Sequence, residues 1–248
     1  MKWAAALLGS LVLTLAGCSS SSGVQTGGGL TNSLMAQYFL PTAVGEQLTY
    51  DVTYDGTDPA DYASPASPMA TTSFQSAATL QVLNLARYQA IFEVNDASGD
   101  TVATATVVVN PDGSLTDLPS IVGPDGSFET NMVQVDPGLL TAGASFDGAV
   151  VTPGAPTSMT WAGQSASSIE LTGADTEATD SCAVSNCLGS TTSITVDDWV
   201  GQGLGPLPVK SVVETRVETE IGTSSTQASP SDLIFDATVS AALTGVSP

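Results

Sequence analysis

Histidine is absent from this chain of 248 residues, and lysine and arginine together occur only four times. Without histidine the chain can build neither a Ser-His-Asp triad nor a Cys-His pair. The Asp-Thr-Gly and Asp-Ser-Gly motifs of aspartic proteases are absent as well. We therefore predict that the protein is not an enzyme. A hydrolase that uses two carboxylates stays open, because two of the 25 acidic residues could face each other in a cleft.

Cysteine is scarce too, and Cys18, one of only three, directly follows an apolar run. Lys2 and the uncharged residues 4–16 have the order of a signal peptide, and that run is shorter than the roughly 20 residues of a membrane-spanning helix. The sequence Leu-Ala-Gly-Cys that ends at Cys18 resembles the lipobox of bacterial lipoproteins. The alternative is an ordinary secretory signal in which the cysteine occurs by chance.

The resemblance to a lipobox implies both an anchor and a location. It implies cleavage before Cys18, with a diacylglycerol and a fatty acid such as palmitate attached to that residue. Two or more acyl chains hold a protein stably in a membrane, whereas a single chain does not. We therefore expect a lipoprotein of the bacterial cell envelope. Ser19 after the lipidated cysteine favours the outer membrane, on its periplasmic or surface face.

The remaining chain divides by composition into a tether and a folded part. Residues 18–33 are rich in Ser and Gly and predict a disordered tether, and residues 34–248 predict a single domain. Beyond the leader, three cationic side chains face 25 acidic ones, a formal charge of −22. Nucleic acid repels such a polyanion and is not expected as a partner. The hydrophobic content of 42% still favours a folded core.

The other two cysteines, Cys182 and Cys187, lie close together in the sequence. An exported protein meets an oxidising compartment, so we predict a disulfide between them. A redox or metal-binding pair is the alternative. It is disfavoured because the spacing is not Cys-x-x-Cys and neither histidine nor a second cysteine pair could complete a zinc site. No cofactor or metal is predicted.

Apolar and polar residues alternate repeatedly along the mature chain, with the period of half-buried strands. The alternation covers residues 46–54, 87–95, 101–109 and 213–221, and residues 232–243 read as a closing strand. A short turn over 96–100 predicts a hairpin at 87–109. Pro-Asp-Gly sequences predict turns at 110–113 and 123–126. Residues 31–39 are the one predicted helix.

Together these patterns predict an all-β protein. The edge strands of an antiparallel sheet of about ten or more strands have unpaired backbone N–H and C=O groups. We therefore expect the sheet to curl into a half-barrel or open barrel. Residues 55–68, rich in Asp, Ala, Ser and Pro, are predicted to form a surface loop. Asp51, Asp55, Asp58 and Asp61 could bind Ca²⁺ there, but they lack the order of an EF-hand, so a solvated loop is favoured.

Two stretches resemble a loose family of bacterial surface lipoproteins. The first runs from Tyr38 to Tyr50 and shares the pattern Pro-x-x-Val-Gly, although Leu48 replaces a usual Trp. The second runs from Asp198 to Lys210 and shares Trp, Gly-x-Gly and Val-Lys, although Pro206-Leu-Pro208 lengthens it. The resemblance implies an antiparallel half-barrel that is similar to lipid-binding envelope lipoproteins. The family has no agreed catalytic residues, so none is transferred.

A curled sheet has a concave apolar face, where a ligand could sit. We predict non-enzymatic binding of a lipid or another hydrophobic or amphiphilic ligand. The candidate lining residues are Tyr50, Val52, Phe92, Val94 and Trp199. For Trp199, a place in the core is the favoured alternative. A structural or protein-interaction module with a filled sheet, displayed at the envelope to a protein partner, is the second hypothesis for the whole chain.

Removal of the Cys18 sulfur tests the predicted lipid anchor. In Cys18→Ser the sulfur that would carry the diacylglycerol is gone, so we expect the protein to leave the membrane fraction for the soluble fraction. Fractionation of the producing cells followed by immunoblotting measures this. Substitution of Ser22, inside the same tether, is the control and is expected to leave the protein in the membrane. Equal membrane retention of both variants would contradict the lipid anchor.

Overall fold

One long, curled antiparallel sheet makes up most of the described protein. The computed structural model describes residues 34–59, 69–116, 120–121, 128–129, 135–141, 143–183, 186–222 and 232–248. From Ser33 to Pro248 the chain forms one compact unit. The one described helix, α1, spans Leu34–Phe39, and none in the described part is long and apolar enough to cross a bilayer.

Fourteen strands follow α1 in chain order. The first seven are β1 Gln47–Pro59, β2 Met69–Ala86, β3 Gln89–Asn95, β4 Thr101–Val109, β5 Leu115–Thr116, β6 Ser120–Ile121 and β7 Phe128–Glu129. The other seven are β8 Ala144–Phe146, β9 Ala149–Pro153, β10 Thr157–Trp161, β11 Gln164–Ala183, β12 Asn186–Gly201, β13 Lys210–Gly222 and β14 Asp232–Ser247. Strands β6 and β7 form a separate small pair.

The predicted fold class is confirmed. The main sheet has the order β5-β4-β3-β2-β1-β14-β13-β12-β11-β9-β8, with β10 paired to β11. Its first and last strands do not pair with each other in the described residues, so the sheet stays open and does not close into a barrel. The first and last long strands of the chain, β1 and β14, lie side by side at its centre. The pairing of β1 with β14 therefore joins two halves of one sheet, β1 to β5 and β8 to β14, around one shared interior.

Most of the predicted strands and turns are where alternation places them. Strands β3 and β4 pair as the predicted hairpin, and the Asp96 carboxylate accepts the backbone N–H groups of Ser98 and Asp100 in its turn. The turn at 110–113 closes with a hydrogen bond from Gly113 N–H to the Asn110 carbonyl, 2.9 Å long. Residues 123–126 lie outside the described part of the chain.

The prediction of a surface loop at 55–68 is wrong for its first residues, 55–59, which belong to β1. Strand β1 continues to Pro59 because it pairs along its length with both β14 and β2. Asp51 and Asp55 therefore belong to a paired strand and not to a calcium-binding loop, while Asp61 lies outside the described residues. Sheet pairing on both sides has outweighed the turn preference of a stretch rich in Asp and Gly. Helix α1, Leu34–Phe39, falls within the predicted helix 31–39, and residues 31–33 lie outside the described part of the chain.

The interior of the curled sheet is filled with side chains. Alternate residues of β1 and β3 are wholly buried there, as the period of two predicts, and both halves of the sheet contribute. Members of this core come from all the long strands except β13, as well as from α1 and the segment 135–141; they include Leu48, Leu80, Val107, Leu139, Leu171 and Val196. Apolar packing across the sheet is therefore the main stabilising term.

One end of the interior is closed by α1 and the crossing segment 202–209, which joins β12 to β13. Met35, Tyr38 and Phe39 of α1 are buried, and so are residues 203–209. Two glycines make the contact possible. Gly203 has a φ of +75°. A Cβ on Gly205 would lie 2.6 Å from the backbone of Phe39, far inside van der Waals contact.

Gly205→Ala is expected to destabilise the fold because the added methyl group must push α1 and the crossing segment apart. Overpacking of this kind costs about 1–3 kcal/mol of the free energy of unfolding. Urea denaturation followed by tryptophan fluorescence measures it. Gly154→Ala is the matched control, since its added Cβ would make only ordinary contacts of 3.5 Å or more. Equal midpoints for the two variants would show that the close approach is not needed.

Candidate functional site

Two adjoining grooves lie at the α1 end of the domain. Their volumes are about 430 and 460 Å³. Five residues line both grooves: Thr42, Ser165, Ala166, Gln202 and Gly203. We call this pair the α1 grooves. Each groove falls within the size range of small-ligand sites, and the lining mixes aliphatic side chains with amides and hydroxyls.

Hydrogen bonds fix the walls of the α1 grooves. One carboxylate oxygen of Glu46 accepts the backbone N–H groups of Thr42 and Ala43, at 3.1 and 3.3 Å. On the other wall, the side chain of Gln202 donates to that of Gln37 at 3.2 Å, and Gly203 N–H donates to the Gln37 carbonyl at 2.8 Å. The grooves are therefore preformed by contacts between α1, its following turn and the crossing segment.

The structure places the predicted ligand-lining residues elsewhere. Tyr50, Val52, Phe92 and Val94 are all buried in the packed interior, and none of them lines an α1 groove. The Tyr50 hydroxyl donates to the Leu204 carbonyl at 3.4 Å, and burial raises the pKa of Tyr50. These four buried side chains consequently serve packing and line no groove in the described structure.

Trp199, the fifth predicted residue, lies on the outer face of β12. Its strand neighbours Val196 and Val200 are buried, but Trp199 itself is half-buried and packs against Trp161 with ring centroids 6.0 Å apart. Trp161 donates its indole N–H to the Ser168 hydroxyl at 2.7 Å. Both tryptophans also pack against the main core. Trp199 lines neither α1 groove.

A buried carboxyl that the sequence did not predict lies on the inner face of β12. Asp198 is completely buried, although alternation gives its position to an apolar residue. Asp147, in the turn between β8 and β9, is close enough for its charge to raise the pKa of Asp198. Among the described residues, neither Asp198 oxygen has a hydrogen-bond partner of good geometry.

Burial, and to a smaller extent the nearby charge of Asp147, raises the pKa of Asp198 to about 9. The Ser211 hydroxyl beside it offsets only part of the rise. Loss of solvent around its carboxyl also raises the pKa of Asp147, although that residue as a whole lies in an exposed turn. Asp198 is therefore protonated at neutral pH, which removes the cost of burying an unpaired charge.

The sequence does contain a signal for both residues. Ile194, Val196 and Val200 alternate on the inner face, so Asp198 occupies an inward position in a strand. Asp147 and Gly148 are a typical two-residue hairpin turn, and both have the positive φ values that such a turn requires, 48° and 88°. What the sequence does not give is the packing of that turn against β12, where Gly148 faces Ile194.

The chemistry available to Asp147 and Asp198 is limited by access. A hydrolase with two carboxylates needs both at a cleft that admits a substrate, and Asp198 is sealed from solvent. In the described part of the chain, no three His, Cys, Asp or Glu side chains come together in a way that could hold a metal ion. Asp197, the neighbour of Asp198, lies on the outer face, where Lys210 binds it at 2.7 Å.

The other predicted site residues have simpler outcomes. Cys18 lies outside the described residues, so its lipidation stays a prediction. The backbone register places Cys182 directly opposite Cys187 in the β11–β12 hairpin. Both kinds of antiparallel pair, with Cα atoms about 4.5 or 5.5 Å apart, fall within the range that a disulfide spans. The disulfide itself stays a prediction.

Comparison with known proteins leaves the chain without an assigned family. No protein-family description matches it, and no curated protein is significantly similar to it. The resemblance to surface lipoproteins consequently depends on the motifs quoted above. Of these, the Gly-x-Gly crossing between β12 and β13 has a structural explanation, because Gly203 and Gly205 allow the segment to pack on α1.

The buried carboxyl makes stability depend on pH in a defined direction. Its pKa rises from 3.8 to about 9 on folding, so the folded protein keeps a proton that the unfolded chain releases. The stabilisation is complete below about pH 4 and falls by up to about 1.4 kcal/mol per pH unit until Asp198 ionises near pH 9. Urea denaturation across this range should show the decline in the wild type and a flatter profile in Asp198→Asn.

Asp100→Asn is the matched control for that experiment. Asp100 is an exposed carboxylate in the β3–β4 turn, so its removal should leave the slope of the wild type unchanged. Parallel stability profiles for wild type and Asp198→Asn would contradict the buried, protonated carboxyl.

Proposed function

We propose that this protein is a lipid-anchored lipoprotein of the bacterial cell envelope that binds an amphiphilic ligand in the α1 grooves and is not an enzyme. The observation that carries the proposal is the pair of preformed grooves of about 430 and 460 Å³ at the α1 end. The ligand site proposed here differs from the interior cavity that the sequence suggested, because the interior is filled by side chains.

The lining of the grooves suits a molecule with both apolar and polar parts. Leu40, Pro41, Leu204 and Val246 offer apolar surface. The amides of Gln37, Gln164 and Gln202 supply donors and acceptors around it. A ligand with hydrocarbon and a polar headgroup could satisfy both kinds of surface, whereas a purely apolar ligand would cover the remaining donors and acceptors of these amides without pairing them.

Chain order also supports a membrane lipid as the ligand. Residues 18–33 join the domain directly before α1, and α1 lines one groove through Ala36, Gln37 and Leu40. If Cys18 is acylated, only residues 19–33 separate the anchor from α1 in the chain, and the bilayer that takes up the anchor is where amphiphiles are concentrated.

The predicted disulfide belongs to the same proposal. A protein exported to the cell envelope meets conditions in which Cys182 and Cys187 oxidise, and their opposite positions in the β11–β12 hairpin favour the bond. It would close a short loop and contribute about 2 kcal/mol to stability by the chain-entropy estimate.

The second candidate is a structural or protein-interaction module, and one observation favours it. Tyr50, Val52, Phe92 and Val94 fill the interior, as a sheet without a ligand cavity requires. In that case the α1 grooves would be depressions of the surface that bind no ligand, and the protein would present an outer face to an envelope partner. The two candidates differ in whether a small molecule accompanies the purified protein.

The decisive measurement is native mass spectrometry of the full lipidated chain, extracted from its own membrane. We expect the wild type to carry a bound amphiphile beyond its covalent lipid. Ser165→Trp should lose it, because Ser165 is exposed and lines both grooves, so an indole there fills them. Its hydroxyl makes only a 3.4 Å contact with that of Thr160, and little stability should be lost.

Ser73→Trp is the matched control, since Ser73 is equally exposed but lies on β2 and lines neither groove. It should keep the ligand. Absence of any amphiphile from the wild type would favour the interaction module. Equal retention of the ligand by both tryptophan variants would place it elsewhere on the protein.

A further inference from the structure

We propose that the ligand of the α1 grooves carries a primary ammonium group, which the carboxylate of Glu46 binds as its counter-ion. Glu46 lies directly before β1 and lines the groove of about 430 Å³. The ammonium would be the headgroup of the amphiphile proposed above, so this assignment rests on the proposed function. Amphiphiles whose headgroup is only anionic are disfavoured at the same site.

The charge of the grooves is the first reason for a cationic headgroup. Within the described chain, Glu46 is the one residue with a charged side chain that lines either groove. The three basic side chains beyond the leader lie elsewhere, at Asp197, Glu218 and Tyr88. An anionic headgroup would therefore meet a carboxylate without a compensating cation, whereas a cationic headgroup would neutralise it.

The Glu46 carboxylate is buried, yet one of its two oxygens has no partner. The residue is only 8% exposed. Its Oε2 atom accepts the backbone N–H groups of Thr42 and Ala43 at 3.1 and 3.3 Å, and the Thr42 hydroxyl at 3.3 Å. Among the described residues Oε1 accepts no hydrogen bond, and it keeps contact with solvent. This oxygen is therefore free to accept a hydrogen bond from a charged donor in the groove.

Hydrogen bonds fix Glu46 at both its backbone and its side chain. Its carbonyl accepts the N–H group of Val82 on β2 at 2.9 Å, and the preceding Gly45 N–H donates to the Val82 carbonyl at 2.8 Å. The turn after α1 holds the carboxylate itself. A group that is already fixed loses little conformational freedom when a ligand binds. Glu46 thus presents a preorganised charge, unlike a mobile carboxylate on the surface.

The groups around Glu46 favour a primary ammonium over a quaternary one. A primary ammonium has three N–H donors, and Gln202 offers a second acceptor beside Glu46, because its side-chain nitrogen donates to Gln37 and leaves its oxygen available. A quaternary ammonium has no N–H group and is typically bound by a cage of aromatic side chains. No aromatic residue of the described chain lines either groove.

Native mass spectrometry of the full lipidated chain in neutral detergent, with added probes, tests this assignment. Dodecylamine and dodecyltrimethylammonium share one hydrocarbon chain and one positive charge, so the anionic surface attracts both equally. We expect the wild type to bind dodecylamine about tenfold more tightly, since only this probe can donate to Glu46. Dodecyl phosphoethanolamine adds a phosphate to the same ammonium. Equal binding of this probe indicates a phospholipid headgroup as the source, and weaker binding indicates a simple amine.

Glu46→Gln removes the charge but keeps an oxygen that can accept the N–H groups of Thr42 and Ala43. This variant should bind dodecylamine about tenfold more weakly than the wild type does. It should bind dodecanol, the uncharged probe of the same chain length, as well as the wild type does, which reports that the groove is intact. Asp100→Asn has the same net charge but lies outside the grooves, and it should behave as the wild type.

Equal binding of the primary and quaternary probes by the wild type would overturn the assignment, whether or not Glu46→Gln keeps its fold. Equal dodecylamine binding by Glu46→Gln and Asp100→Asn would overturn it as well. Ser165→Trp separates this assignment from the proposed function. Loss of every probe from that variant supports the grooves as the site, whereas unchanged binding of every probe would contradict the proposed function itself.

Discussion

The structure depends on how an open sheet closes its interior. A sheet whose edge strands do not pair leaves its concave apolar face exposed at both the edges and the ends, and water there would remove most of the stabilisation from burial. Here the middle is filled by side chains from both halves of the sheet, and one end is covered by α1 and the crossing segment 202–209. Gly205 passes against the backbone of Phe39 at that end, so the closure requires a residue without a side chain.

This closure also decides where a ligand can bind. Because Tyr50 and Phe92 fill the interior, the recesses occur where α1 and the crossing segment meet the sheet edge, and their walls are made by short-range hydrogen bonds such as that from Thr42 to Glu46. Inward residues in the middle of the sheet thus serve packing, and the grooves form where connecting segments meet the ends of β11 and β14. Connecting segments on a rigid scaffold commonly carry binding surfaces.

The sequence predicts what depends on local period and fails where distant segments meet. Alternation of period two gives the strands, the hairpin of β3 and β4, and the inward face of β1. The same alternation, counted from Val196 and Val200, would have placed Trp199 on the opposite face of β12 from these two buried residues. The start of the predicted loop at 55–68 is a strand because two neighbours pair with it. The hydrogen bond of Gln202 with Gln37 at the grooves and the packing of Gly148 against Ile194 join residues far apart in the chain, and no periodicity encodes such meetings.

The scarcity of cations finally explains why a buried acid here takes a proton. Of the three basic residues beyond the leader, Lys210 binds Asp197, Arg216 binds Glu218, and Arg87 lies over the ring of Tyr88 at 5.1 Å. Each of them thus has a partner, and none of them acts on Asp198. A buried carboxylate without a counter-ion is too costly to keep ionised. The composition that keeps the protein strongly anionic therefore also leaves Asp198 a neutral acid, and the stability of the fold depends through it on the pH around the protein.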